Sequence, residues 1–431
     1  MAKTYLANLR LLSRDVRLFL VAAALIGFSW DGVRTVLLNL YLLRLDYGPE
    51  IVGVVNGVGS LAFALVSLPA GFVSARLGSR RMILVGVAFM AAGLGLLPVV
   101  ELLPEIWRVA WLAAATVLNY LGLVLYYVNS LPFLMGATGP EERDYAFAAQ
   151  IAIMPLAAFA GSLVAGLLPG LVAGVLGTTV QDPAAYRYPL FLASLMLIPG
   201  VLALIPASEI AASEPEKAVA EEEQDESLGA RSSRPPYALI IMMVVVVGLR
   251  FAGRGPLMTF FNVYLDDALG VSTVLIGALI AVGQFISVPA ALAAPLGAAR
   301  WGNGKMVSWG TVGVALSMVP LALIPQWWAA GAGFVGAIAM FSVSTGPIRV
   351  YSQDLVTRRW WGVMSGAVMM GSGLGIAVMT LIGGYAVAAL GYQVLFLAGA
   401  GLVMAGAVIF WAYFRVPRGE LAHKPQRHPT A

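Results

Sequence analysis

Runs of apolar residues long enough to cross a bilayer alternate with short polar breaks along this chain, and the pattern occurs twelve times. A helical span needs roughly 20 mostly apolar residues to cross a hydrocarbon core about 30 Å thick. The segments that meet this length are 18–43, 51–73, 82–103, 109–135, 145–171, 189–206, 236–265, 274–296, 306–325, 327–351, 362–390 and 394–414. Backbone polar groups in lipid must be satisfied within the segment, so these runs are predicted to be helices. Composition changes nothing in that picture: 60% of the 431 residues are hydrophobic and 11% are charged. A soluble domain carries about 25% charged residues. Only short loops, one longer linker and a short tail remain, which leaves no room for a folded soluble domain.

The apolar pattern fails once, between the sixth and seventh spans. Residues 207–235 hold Glu209, Glu214, Glu216, Glu221, Glu222, Glu223, Asp225 and Glu226 with almost no large apolar residue. Such a segment cannot bury enough surface to fold and reads as a flexible tether. It divides the chain into a six-span unit at 1–206, the acidic linker at 207–235, and a second six-span unit at 236–431 that ends in a basic tail.

The two units align with each other. Ser74-Ala75-Arg76-Leu77-Gly78 matches Ala298-Ala299-Arg300-Trp301-Gly302 at an offset of 224, and Asn39-Leu40-Tyr41-Leu42 matches Asn262-Val263-Tyr264-Leu265 at an offset of 223. Leu190-Phe191-Leu192-Ala193 matches Leu395-Phe396-Leu397-Ala398 at 205. Each match falls at the same boundary in its own half, as a duplication requires.

Lysine and arginine then orient the chain. They gather in the leader, after spans 2, 4 and 8, in the linker, at the end of span 10 and in the tail, while the opposite side has only Arg44, Arg108 and Arg187. By the positive-inside rule both termini face the cytoplasm, in a multi-pass inner-membrane protein. The formal net charge of +4 is mostly this topology signal, and no basic patch for nucleic acid is present.

Four charges lie where apolar residues are expected: Asp31 and Arg34 in span 1, Arg250 and Arg254 in span 7. A charge near the bilayer centre costs several kcal/mol or more, so such groups face a wet cavity and mark a pathway. Asp31 and Arg34 are three residues apart, which places them on one face of an α-helix; Arg250 and Arg254 are four apart and share a face as well. Asp31 corresponds to Arg254 at an offset of 223. Asp31 is either a proton carrier or half of a permanent ion pair with Arg34 or Arg254. The arginines keep their protons, so two cations are left over for an acidic group on a solute, or for water and backbone carbonyls.

Six spans plus six, a polar middle linker and the run Gly71-Phe72-Val73-Ser74-Ala75-Arg76-Leu77-Gly78-Ser79-Arg80-Arg81 resemble the major facilitator superfamily. The run is similar to that family's cytoplasmic gating signature, Gly-x-x-x-Asp-Arg-x-Gly-Arg-Arg, with Ala75 in place of the acid and Ser79 in place of a base. The resemblance implies an all-α membrane protein. Twelve transmembrane helices form two six-helix bundles related by a pseudo-two-fold axis, around a central cavity lined by spans 1, 4, 7 and 10. It also implies a gating role for Gly71, Arg76, Gly78, Arg80 and Arg81 and for their counterparts Arg300 and Gly302. With Ala75 unable to pair, a latch from Arg76 to Glu141, Glu142 or Asp144 is the alternative.

Asn119, Tyr120 and Tyr126 of span 4 and Gln284 of span 8 are further cavity candidates. Tyr41 and Tyr264 lie near span ends and read as interface anchors. Gly253-Arg254-Gly255-Pro256 and Gly346-Pro347 weaken their helices, while the glycines of spans 5 and 11 suit close helix packing. There are no cysteines, and both histidines, His423 and His428, lie in the tail, so thiol chemistry, a metal site and a histidine proton relay are not expected. No nucleotide-binding loop occurs. The expected function is therefore gradient-driven transport with no cofactor, not enzymology. It would move a small anionic, zwitterionic or amphipathic solute by alternating access, as a monomer among membrane lipids, with Asp31 as the candidate for proton coupling. A multidrug exporter and a lipid transporter are the alternatives.

Overall fold

A computed structural model describes residues 12–139, 142–208, 236–357, 360–416 and 418–422. Twelve helices long and apolar enough to span a membrane are present: α1 (Arg14–Arg44), α2 (Pro49–Leu77), α3 (Ser79–Leu96), α4 (Glu105–Ala137), α5 (Arg143–Leu176), α6 (Ala184–Leu204), α7 (Tyr237–Val263), α8 (Thr273–Trp301), α9 (Asn303–Leu323), α10 (Trp327–Asp354), α11 (Trp361–Leu390) and α12 (Tyr392–Phe414). No strand occurs among the described residues. The acidic segment 209–235, Glu141, Arg358, Arg359 and the tail from 423 onward, with both histidines, lie outside the described residues.

The duplication is visible in the elements themselves. Helices α2 and α8 are both 29 residues long and begin and end at positions 224 apart. Each stops at a glycine with positive φ, Gly78 at 88° and Gly302 at 83°, and the next helix starts on the following residue. A side chain is strained at such angles, so glycine is what lets this tight corner form in both halves.

The halves form two six-helix bundles related by a pseudo-two-fold axis. They meet along two seams that this axis interchanges, α2 against α11 and α5 against α8. Apolar lipid offers helices no hydrophobic drive to associate, so small residues that permit backbone contact decide where they pack. A Cβ on Gly384 of α11 would lie 2.4 Å from the carbonyl oxygen of Pro49, and one on Gly277 of α8 would lie 2.6 Å from that of Ser162. Both seams therefore depend on hydrogen at those positions.

Candidate functional site

Helix α1 is not a regular α-helix through its middle. Residues Gly27–Arg34 form a π-helical segment, in which the amide of Thr35 bonds back to the carbonyl of Trp30. The Thr35 hydroxyl donates to the same carbonyl at 3.1 Å. Glycine permits the wide turn by letting α5 close on it: a Cβ on Gly32 would lie 2.7 Å from Gly161 Cα. π-Turns inside helices concentrate at functional sites.

The wide turn changes which residues share a face. Each residue advances through a smaller angle than in an α-helix, so side chains four apart, not three, come back into line. Arg34 consequently lies over Trp30, with Cζ 4.1 Å from the ring centroid, and 5.2 Å from the ring of Tyr120. Trp30 and Tyr120 meet edge to face at 5.0 Å. The expected Asp31–Arg34 pairing is corrected by this geometry, since Arg34 bonds to Asn56 Oδ1 (3.4 Å).

Asp31 remains half-buried, with Arg254 and Arg34 the cations that act on it most strongly. Neither is within ion-pair distance, and the Asp31 carboxylate accepts no hydrogen bond among the described residues. A permanent ion pair at Asp31 is therefore absent from this conformation.

On α7, Gly253 packs against α12, where a Cβ would meet Gly399 O at 2.8 Å, and Gly255 packs against α11, 3.0 Å from Ile376 O. With both flanking positions pressed onto neighbours, Arg254 is directed to the opposite face of α7. The Cζ atoms of Arg250 and Arg254 stand 4.6 Å and 4.5 Å from the centroid of one ring, Phe341 of α10. Arg250 also donates to the hydroxyl of Ser344 and, at 3.4 Å, to the Phe341 carbonyl. A desolvated cation–π contact stabilises a guanidinium by about 2 kcal/mol, but it leaves N–H donors unused. Arg34 Nε, Arg250 Nε and Nη1, and Arg254 Nε are buried without a hydrogen-bond partner among the described residues. Buried donors left unpaired cost about 1–3 kcal/mol each, more for charged groups.

Tyr127 of α4 is within electrostatic reach of Asp31, Arg254 and Arg349, yet 40% exposed. Solvent therefore reaches Tyr127 beside these charges, and the region they enclose is termed the central chamber.

One end of that chamber is closed by the two halves gripping each other. Asn39 donates to Asn262 Oδ1 (3.3 Å) and to the Thr259 carbonyl (2.6 Å). Asn262 donates in return to the carbonyls of Thr35 (3.1 Å) and Val36 (3.0 Å). Further out, Arg44 forms a two-pronged ion pair with Asp266 at 2.7 and 2.8 Å, and Tyr186 meets the Thr273 hydroxyl at 3.2 Å.

The remaining expected site residues divide. Tyr120 joins Arg34 as described. Asn119 instead donates to the Met90 carbonyl (2.6 Å) and fastens α4 to α3. Tyr126 is fully buried, stacked on Phe19 and bonded to Met154 Sδ at 3.5 Å, so it packs α4 against α1 and α5. Gln284 is half-buried on α8. Tyr41 and Tyr264 are buried, not anchored at an interface: Tyr41 donates to Glu101 (2.7 Å) and Tyr264 packs on Tyr392 and Phe396.

Of the gating residues, Gly71 faces open space and Arg76 and Arg81 are exposed. Arg80 donates to the carbonyls of Leu204 and Ile205, tying the start of α3 to the end of α6. Arg300 lies over Trp301 at 5.3 Å. Glu142 is occupied with the amides of Ser13 (3.0 Å) and Gly139 (3.1 Å), and Arg76 makes no ion pair among the described residues.

Trp30, Asn56, Phe341 and Ser344 are the site residues that sequence reasoning did not single out. The available signal was spacing: Trp30 precedes Arg34 by four, and Phe341 and Ser344 are three apart on α10.

Solved transporter structures share the whole architecture. A D-xylose–proton symporter superposes with a TM-score of 0.74 at 15% identity, covering 95% of this chain and 99% of that one. A point mutant of the nucleoside transporter NupG gives 0.69 at 15%, covering 93% and 100%. A POT family transporter in complex with a thioalcohol-conjugated peptide gives 0.69 at 14%, covering 93% and 96%. No curated protein matches the chain. The Major Facilitator Superfamily model matches residues 19–369 and again 290–430. With that match over nearly all of its length, the chain belongs to the Major Facilitator Superfamily.

Proposed function

We propose that this protein is a secondary transporter for a small organic anion. Its two bundles, 1–206 and 236–431, joined by the linker at 207–235, rock about the central chamber in alternating access. Both termini face the cytoplasm, and the Asn39–Asn262 contact then closes the outer side. The observation that carries this reading is the set of buried, unpartnered N–H donors on Arg34, Arg250 and Arg254, opposed by one carboxylate. An acidic group in the chamber would satisfy them with charge-assisted bonds about twice as strong as neutral ones.

Asp31 is the acidic residue of the chamber, unpaired and reachable, and is suited to take up a proton as the cargo moves. The solved neighbours are named for a nucleoside, xylose and peptide-type cargo. That spread leaves the choice of cargo to the residues of the chamber. Uptake into proteoliposomes tests the reading. Accumulation of a carboxylate driven by an imposed pH gradient, lost in Asp31→Asn, supports coupling, whereas equal uptake by Asp31→Asn at every pH removes it. Lipid that copurifies with the wild type and is absent from Arg254→Ala would favour lipid movement instead.

A further inference from the structure

We infer that Arg34 is a second anion-recognition point, separate from the Arg250–Arg254 pair, and that Asn56 wires it to the Asn39–Asn262 closure. The wiring is a continuous line of buried polar groups. Arg34 donates to Asn56 Oδ1 at 3.4 Å, Asn56 donates to Asn39 Oδ1 at 2.8 Å, and Asn39 donates across the bundle boundary to Asn262 and Thr259. All four side chains in the line are buried. Three are asparagines whose amides find partners on both sides, since Asn56 also bonds the Val52 carbonyl (2.9 Å) and Asn262 Oδ1 also accepts from the Val263 amide (3.0 Å).

Arg34 is the weak end of the line. It offers five N–H donors, and its hydrogen bond to Asn56 is at the long limit for such a contact. An acidic group arriving in the chamber outcompetes the neutral Asn56 amide for the guanidinium. Arg34 then leaves Asn56, whose freed carbonyl oxygen no longer fixes the amide that holds Asn39. The grip of Asn39 on α7 loosens as a result. By linkage the effect is reciprocal: loosening the asparagine contact must also tighten anion binding at Arg34. Only the trigger in this scheme rests on the anion reading above; the wiring does not.

The chain has no cysteine, so spin labels can be placed without background. Gln181→Cys and Ala268→Cys put one label on each half near the Arg44–Asp266 end, and their separation is read by pulsed electron paramagnetic resonance on the full chain. A longer-distance population is expected in Arg34→Leu and in Asn56→Leu, and not in Arg254→Leu. In the Asn56→Leu background, Arg34→Leu should add nothing, a non-additivity that a merely structural loss would not produce. Benzoate, succinate or inorganic phosphate should produce the same shift in wild type and none beyond the resting value in Asn56→Leu. Additive effects of the two substitutions, or unchanged distances in both, overturn the wiring. A shift in the variants with no response of the wild type to any of the three anions overturns the trigger and the anion reading together, and leaves the wiring standing.

Discussion

Asn39 and Asn262 occupy equivalent places in the two halves of the chain and bond directly to each other, Nδ2 to Oδ1 at 3.3 Å. Each also donates to carbonyls in the other's helix, Asn39 to Thr259 and Asn262 to Thr35 and Val36. Val36 and Thr259 are themselves 223 residues apart, the same offset as the two asparagines. Residues related by a two-fold axis can touch only where they lie on it, so this contact marks where the axis passes through α1 and α7. A neutral amide pair closes the chamber there with no charge to desolvate beyond the ion pair further out. Asn39→Leu takes the donor from Asn262 Oδ1 and the Thr259 carbonyl and the acceptor from Asn56, and Asn262→Leu takes the donor from the Thr35 and Val36 carbonyls and one acceptor from Asn39. Each is expected to destabilise the closed state by about 1–3 kcal/mol, with the double variant costing less than the sum. Thermal unfolding in detergent, compared across the cycle, measures this.

The Arg44–Asp266 pair acts in the same place by a different force. Its side chains are 11% and 12% exposed, and breaking a buried pair leaves one charge uncompensated. Either single reversal, Arg44→Asp or Asp266→Arg, is expected to lower stability more than neutral Asp266→Asn does. The double swap should recover part of the loss. The same rim-label distances used above would lengthen in the singles and shorten again in the swap.

Close packing makes a sharp contrast inside α5. A Cβ on Gly161 would lie 2.3 Å from the Phe28 carbonyl, in the seam that holds the π-segment of α1, whereas Gly170 and Gly174 have nothing within 4 Å. Gly161→Val should therefore cost about 1–3 kcal/mol or prevent folding altogether, while Gly170→Ala and Gly174→Ala should be tolerated. Expression level and melting temperature of the three variants check this.

Much of the architecture was legible in the chain. Span length and the positive-φ corners at Gly78 and Gly302 are local properties, so apolar runs and the 224-residue offset located them. Helix phase was not legible. Asp31 and Arg34 looked like neighbours because three residues nearly complete an α-helical turn, and the π-segment that separates them arises from contact with α5, which spacing does not encode. The same limit explains Asn119 and Tyr126: polar groups on α4 were visible, but whether each faced the chamber or a neighbouring helix depended on α3, α1 and α5. Trp30 and Phe341 were overlooked because spacing alone does not tell an aromatic residue beneath a cation from one that only packs within the span.

Phe341 holds two like charges within cation–π distance of one ring, and its removal has a defined consequence. Without the ring, Arg250 and Arg254 both lose their cation–π partner. Phe341→Leu, which keeps apolar bulk, is expected to weaken anion binding about tenfold, which corresponds to about 1.4 kcal/mol. Trp30→Leu should act comparably on Arg34 if both arginines receive the cargo. Calorimetric titration with the anion that most stabilises the wild type provides the comparison.

The proposed function turns on the buried guanidiniums receiving an acidic group inside the chamber. Ligands that differ only in charge test it most directly: benzoate against benzamide, and succinate against succinamide, in a thermal-shift titration of the full chain and of Arg254→Gln. An acid is expected to raise the melting temperature and its neutral amide is not, and Arg254→Gln is expected to abolish the difference. Equal responses to acid and amide, or a difference that survives in Arg254→Gln, would contradict it.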